Sequence, residues 1–386
     1  MDDDPLIRTA EVSAADAQAA TVLAAALGPG PFALVVVFAS PRVPDLDALV
    51  RDLSAALAPV PVIGCTTAGE IGAQGYAEGL IVATALPARH FRAEVLAIPD
   101  LGSFDTQTVI GDLIRARTTL ARLVPEWEHD FVFLLVDGLS TREDALASTL
   151  APGLGATPLF GGSAADGTRF LETFVFWNGQ AVRNAAVAAV VRTACPVRVF
   201  KFDHFRPTGR RMVVTGADPS RRVVHTINAE PAAREYARLL GKDPAQLTPF
   251  TFAAHPVVVR IGGRHHVRSI RQVDEQTGDL IFFSAIDDGL VLTLAEAEDM
   301  TDHLAQALSG IAEQGTPAAI LACDCVLRRM EAQEKQLSGR ISDLFRAHRV
   351  IGFSTYGEQL NGMHVNQTLT GVALYPPPPG TGVAPT

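Results

Sequence analysis

Basic residues are scarce in this chain. Lys and Arg total 32 against 42 Asp and Glu, a formal net charge of −10. Binding a phosphate backbone needs clustered cations that displace counterions, so nucleic acid is excluded as an expected partner. Cysteine is also sparse, with four residues unevenly spaced, which is not a secreted disulfide framework. Cys323-Asp-Cys325 has no second Cys/His pair at ligand spacing, which argues against a structural zinc. Long apolar runs are missing too. Stretches such as Phe32 to Ala39 reach strand length only and cannot span a bilayer. MDDDPLIRT lacks the basic and apolar segments of a secretory signal. A reduced, cytoplasmic protein without membrane contact is the expectation. No G-x-x-x-x-G-K-S/T loop, H-E-x-x-H, C-x-x-C-H or dinucleotide fingerprint is present. His265 and His266 are neighbours on an expected strand, so they face opposite ways and do not share a metal.

What is present is a core-forming composition and a repeat. The 386 residues are 48% hydrophobic and 19% charged, enough apolar material for two domains. VIGCTTAGEIG at 62–72 returns as VIGFSTYGEQL at 350–360. Each phrase closes a longer unit. FALVVVFAS (32–40) is an apolar strand, and DLDALVRDLSAAL (45–57) is a helix with Leu46, Leu49, Val50, Leu53 and Leu57 on one face. The chain then returns through PVIGCTT to the strand GLIVATAL (79–86). PAAILACDCVL (317–327), the helix 328–347, RVIGFST and NQTLTGVAL (366–374) repeat that order. A weaker copy lies between them. It comprises DFVFLLVDGLS (130–140), a helix that Thr141 and Asp144 would open as a capping box, and the return PLFGGSAADGTRF (158–170).

Elsewhere, hairpin-like segments are expected at 80–98 and 172–205, a change of unit at 218–228, and helices at 229–241 and 294–314. Mixed β-sheets flanked by helices, built from repeated β-α-β units in two domains, follow as the fold class. The Pro- and Gly-rich tail 376–386 is expected to be disordered.

The repeated turn is the candidate site. Gly64, Gly161 and Gly352 align, as do Thr66, Ser163 and Ser354, and glycine there lets backbone or ligand approach closely. Hydroxyls at strand C-terminal ends face the crevices where open α/β sheets bind ligands. Gly64, Cys65, Thr66, Thr67, Ser163, Ser354 and Thr355 are therefore candidate contacts. Glu70 and Glu358 would counter a cationic group, and Asp166 would take the shifted acidic position of the middle copy. Arg328 would meet an anionic group, and with the helix start it would lower the Cys325 thiol pKa. Turn capping and local ion pairing explain the same residues without a ligand. G-F-S-T and G-G-S-A lack the last glycine of a nucleophile elbow, and the chain continues into turns rather than a helix. A hydrolase using a repeat serine is thus the weakest reading, and no enzyme activity is expected.

PVIGCTTAGEI with GLIVATAL, LFGGSAADG with FVFWNGQAVRNAAVAAVV, and ILACDCVLRR…VIGFSTYGEQL…NQTLTGVAL resemble the FIST sensory domain. The resemblance spans roughly residues 20 to 375. It implies a 1–19 extension, an N-terminal FIST domain at 20–217 and a C-terminal one at 218–375. It further implies a cytoplasmic signal-transduction module of bacterial type that binds a small polar, amino-acid-like ligand without a cofactor. Some members of the family are instead haem-binding nitric-oxide sensors acting on a histidine kinase or a cyclic-di-GMP enzyme. The chain has no room for such an output segment, so signalling is expected to pass to a partner in trans.

Overall fold

The computed structural model describes residues 5–313 and 315–377; of the tail, 378–386 lie outside the described residues. Three stretches fold in one pattern. The first runs β1 (Arg8–Ser13), α1 (Ala19–Leu27), β2 (Phe32–Ala39), α2 (Leu46–Ala56), β3 (Val62–Thr66), the hairpin β4–β5 (Glu70–Gly72, Gly75–Ala77) and β6 (Leu80–Pro87). The second runs β7 (Phe91–Ile98), α3 (Thr106–Leu123), β8 (His129–Val136), α4 (Glu143–Leu154), β9 (Leu159–Ser163), the hairpin β10–β11 (Val175–Trp177, Gln180–Val182) and β12 (Ala186–Thr193).

The third opens with β13 (Val197–Phe202) and is interrupted by an inserted sheet domain. That insert holds β14 (Phe205–Asp218), β15 (Val223–Ile227), β16 (Glu230–Pro231), α5 (Ala232–Leu240), α6 (Pro249–Ala254), β17 (Val257–Ile261), β18 (Arg264–Arg268), β19 (Ile270–Val273), β20 (Leu280–Phe282) and β21 (Val291–Ala297). The third unit resumes with α7 (Met300–Ala312), β22 (Ala319–Cys325), α8 (Val326–Glu334), α9 (Ser338–Ala347), β23 (Val350–Thr355), the hairpin β24–β25 (Glu358–Leu360, Met363–Val365) and β26 (Leu369–Leu374). The mixed-sheet, helix-flanked expectation holds. The N-terminal part carries two units, and the C-terminal part the insert and most of the third.

The units exchange their hairpins. The sheets run β1-β6-β2-β3-β10-β11, β7-β12-β8-β9-β24-β25 and β13-β26-β22-β23-β4-β5. Each therefore ends in a hairpin from another unit, and the exchange closes as a pseudo-threefold ring. One face of every sheet meets a shared core, where Phe38 stacks on Phe353 at 4.5 Å and Phe133 on Phe160 at 4.8 Å. The opposite faces are covered by α1 and α2, by α3 and α4, and by α7 and α9. The apolar stripe of α2 is used this way, and Asp45 caps it by accepting from Ala48 N at 2.9 Å.

The repeated glycine has one cause in all three units. A Cβ on Gly64 would sit 2.1 Å from the Val37 carbonyl oxygen, on Gly161 2.2 Å from that of Leu134, and on Gly352 1.8 Å from that of Ala322. The parallel neighbour leaves no space for a side chain.

Several local expectations change. Residues 80–98 are not a hairpin, because β6 pairs with β1 and β2 while β7 pairs with β12 in a different sheet. β1, inside the expected extension, is the edge strand of the first sheet. Residues 218–228 lie in a hairpin of the insert, where Ala217 faces Val224. Thr141 has φ 57 and the α4 helix starts at Glu143, so the capping box does not form. Glu143 instead pairs with buried Arg222 of the insert. Residues 294–297 belong to β21, and α7 begins after Asp299, which accepts from Thr301 N and Asp302 N at 2.9 Å. The 328–347 helix breaks into α8 and α9 at Gln336, which adopts φ 56.

Gly352→Ala is predicted to destabilise the protein by about 3 kcal/mol or more, since rigid backbone blocks the methyl. Gly310→Ala, in α7 with open space around it, should stabilise by up to about 1 kcal/mol. Urea unfolding of both variants measures this; equal effects would contradict the steric account.

Candidate functional site

The polar turns after β3, β9 and β23 bind one another. Ala68 N donates to Ser354 O (2.8 Å), Ala165 N to Thr66 O (2.9 Å) and Tyr356 N to Ser163 O (3.3 Å). In the opposite sense, Ser354 N donates to Gly69 O (2.7 Å), Ser163 N to Gly357 O (2.8 Å) and Thr66 N to Phe174 O (2.9 Å). This is a closed cycle through the three units. The side chains complete it. Thr67 Oγ1 donates to Glu70 Oε1 (2.5 Å) while Leu80 N donates to Oε2 (3.1 Å). Likewise the Thr355 hydroxyl donates to Glu358, whose Oε2 accepts from Thr368 N (3.1 Å) and Thr368 Oγ1 (2.7 Å). Both glutamates are fully buried staples across their own turns.

Asp166 does not fill the matching position. Glu70 faces Phe353 and Glu358 faces Gly162; the corresponding partner of Cys65 is Val175. Residues 166–173 are an extra loop between Ala165 and Phe174 without counterpart in the other units. Asp166 folds that loop by accepting from Phe170 N (2.8 Å), Leu171 N (2.9 Å), Glu172 N (3.1 Å) and the Tyr356 hydroxyl.

A cavity of about 350 Å³ opens beside the ring, at the C-terminal ends of β2 and β3. The first unit supplies Ser40, Arg42, Thr67 and Glu78. The extra loop supplies Asp166 to Arg169, and α8 supplies Val326, Arg329, Met330 and Gln333. A smaller hollow of about 210 Å³ continues past Ser40 and Arg169 to Thr66 and Glu172. Of the sequence candidates, Thr67 and Asp166 line the larger cavity and Thr66 the hollow. Gly64, Cys65, Glu70, Ser163, Arg328, Ser354, Thr355 and Glu358 line neither. The ring has absorbed their polar groups. Ser163 Oγ accepts from Gln359 (3.0 Å), Ser354 Oγ from Arg329 (3.4 Å) and Thr66 Oγ1 from Phe174 N (3.0 Å). Neither serine bonds a base there, so the hydrolase reading gains nothing.

The cation at the cavity is Arg329, not Arg328. Arg329 donates to Ala77 O (2.7 Å) and Glu70 O (3.3 Å), and its guanidinium lies 4.8 Å over the Tyr76 ring. Gly69 permits this, since a Cβ there would approach Arg329 Nη1 to 2.4 Å. One residue earlier on α8 the side chain points elsewhere. Arg328 is buried, with Nε donating to Asp324 Oδ1 (2.8 Å) and Nη1 donating to His204 Nδ1 (3.0 Å). An arginine only donates, so His204 carries its proton on Nε2, where it meets Glu331 Oε2 at 3.0 Å. Burial pushes the His204 pKa below the usual imidazole range. Arg42 and Arg169 add two more guanidinium groups to the cavity, the first 3.1 Å from Glu78. The alternating α8 faces were the unused signal for Arg329.

The cysteines pack in the core, and the lowered Cys325 pKa expected from Arg328 and the helix start does not occur. Cys65, Cys323 and Cys325 are buried, and burial raises their thiol pKa values well above the usual range despite Arg328 nearby. Among the described residues, no histidine lines this cavity or the hollow beside it, and both ring nitrogens of buried His204 and His364 bond side chains.

The cavity is lined by hydrogen-bonding groups, among them the Thr67 hydroxyl that closes on Glu70. A family model for the FIST N domain matches residues 33–230 and one for the FIST C domain residues 232–361. The chain belongs to the FIST family, whose domains are sensory domains of signal transduction. No curated protein matches it. Among the described residues no helix is long and apolar enough to cross a membrane.

Burial lifts the Glu358 pKa to about 8 against the bonds from Thr355 and Thr368. Between the unfolded value of about 4.3 and that folded value, only the folded state holds this proton. Its stabilising contribution is complete below the unfolded pKa and is lost as pH rises. The stability advantage of wild type over Glu358→Gln should therefore shrink between about pH 5 and about pH 8 in urea unfolding. A difference independent of pH would refute it.

Proposed function

We propose that this chain senses a small amino-acid-like ligand in the 350 Å³ cavity and passes the signal to a partner in trans, such as a histidine kinase or a cyclic-di-GMP enzyme. The observation that carries the ligand reading is the charge balance of the wall. Arg42, Arg169 and Arg329 stand against Glu78 and Asp166, and Asp166 is saturated by its own loop and Tyr356. The net cation suits a ligand carboxylate, because guanidinium pairs it through parallel donors. Glu78 and the Ser40 hydroxyl suit an ammonium group, and Val326 with Met330 an apolar side chain. The wall draws on all three units, so an occupant touches every part of the ring. The resemblance to sensors that act on separate enzymes supports the partner, as does the expectation of a cytoplasmic location.

A thermal-shift screen with the standard amino acids and short dicarboxylates tests this. A ligand at about a hundred times its dissociation constant adds roughly 2.7 kcal/mol. Arg169→Ala and Arg42→Ala should each weaken a hit by about tenfold or more, with little effect on the unliganded melting point because both side chains are largely exposed. Unchanged affinity in both variants would place the hit elsewhere and end this reading.

A further inference from the structure

The extra loop of the second unit has two sides. On one, Asp166, Thr168 and Arg169 form the cavity wall. On the other, the next residue, Phe170, stacks on Tyr356 with centroids 4.4 Å apart and planes at 24°, and lies 5.9 Å from Phe283 of the insert. The reversal between neighbours comes from the backbone. Phe170 adopts φ 54, a left-handed conformation rarely taken by a bulky side chain. The conformation is held from outside the loop. The Tyr356 hydroxyl bonds the Asp166 carboxylate and accepts from Asp166 N and Phe170 N, both at 3.3 Å.

The insert rests on this aromatic pair by soft contacts. Arg271 of β19 places its guanidinium 5.7 Å from the Phe170 ring centroid, and its buried Nε has no hydrogen-bond partner. Close by, the insert is fastened polar group to polar group. Arg222 pairs with Glu143, Ser269 Oγ donates to Gln367 Oε1 (2.9 Å), and Ser284 Oγ donates to Asn366 Oδ1 (2.7 Å). The loop itself meets the insert through ring packing, next to these bonds.

We propose that residues 166–173 transmit cavity occupancy to the inserted domain, with Arg169 as the input and the Phe170–Tyr356 stack as the output that sets how the insert seats on the ring. The inference rests on the cavity being the ligand site and names how that site is read. An occupant that draws Arg169 inward turns its neighbour Phe170, because the two share a peptide bond. Packing at Phe283 and Arg271 then changes, next to the polar bonds of Ser269 and Ser284. Such a contact is bistable rather than continuously deformable.

The test needs no identified ligand. Arg42→Cys puts a thiol on the wall opposite the loop, at a position that is largely exposed. The native cysteines are buried. Sulfonatoethyl methanethiosulfonate converts that thiol to a mixed disulfide with release of methanesulfinate, leaving a sulfonate in the cavity that a reductant removes. Hydrogen exchange is followed in segments 166–173, 269–273 and 280–286. Labelling should change exchange by about threefold or more in all three segments, reversibly. With Phe170→Leu added, which keeps apolar volume but loses the stack, the change should stay confined to 166–173. An insert response absent with the native loop, or unaltered by Phe170→Leu, would overturn the proposal. A failed amino-acid screen would leave this outcome readable, so the two ideas fail separately.

Discussion

The backbone cycle joining the turns after β3, β9 and β23 is the constraint on which the rest depends. Each turn satisfies its own peptide groups on the next unit rather than on itself, in a buried centre where an unpaired group is costly. That requirement explains the glycines, since the parallel strands must come within contact distance at Gly64, Gly161 and Gly352. It explains the hydroxyls and glutamates, which hold the turns shut. It also explains the exchange of hairpins, because a turn bonded to its neighbour delivers the following strands to that neighbour's sheet.

The cavity follows from departures from this symmetry. In the third unit α8 starts directly at the end of β22, whereas a linker separates β2 from α2 and β8 from α4. The early helix brings Arg329 and Met330 to the ring. In the second unit, residues 166–173 intrude on the same place and bring Arg169. Together they give the cavity a net positive wall.

The three-copy repeat, its main strands and the helices α2, α4, α7 and α9 were legible in the sequence, because period and apolar run length follow directly from burial on one face or two, whereas β1, α1 and α3 were not read from it. Exchange of hairpins was not. A hairpin has the same local pattern whichever sheet it joins, and only the pairing of Ile71 with Gly352 reveals the partner. The site was half legible for a related reason. A polar turn at a strand end is what a ligand crevice needs and equally what an interlocked junction needs. Thr355 and Glu358 serve the junction, whereas Thr67 serves both. Arg328 and Arg329 are indistinguishable by composition, and only the helix rotation between neighbours sends one inward and the other to the cavity. The Asp166 alignment failed because a loop insertion conceals its own extent when only the flanking glycines are compared.

Hairpin exchange also bears on how the molecule is made. The first unit's sheet waits for β10 from the second unit, the second waits for β24 from the third, and β4, made early, waits for β23, made late. No unit closes on its own residues. During synthesis the early segments hold exposed strand edges until the last strands arrive, a long-range pairing of the kind that folds slowly and invites misassembly. In return, the finished ring has no unit that can detach without opening its two neighbours, so the three parts must unfold as one.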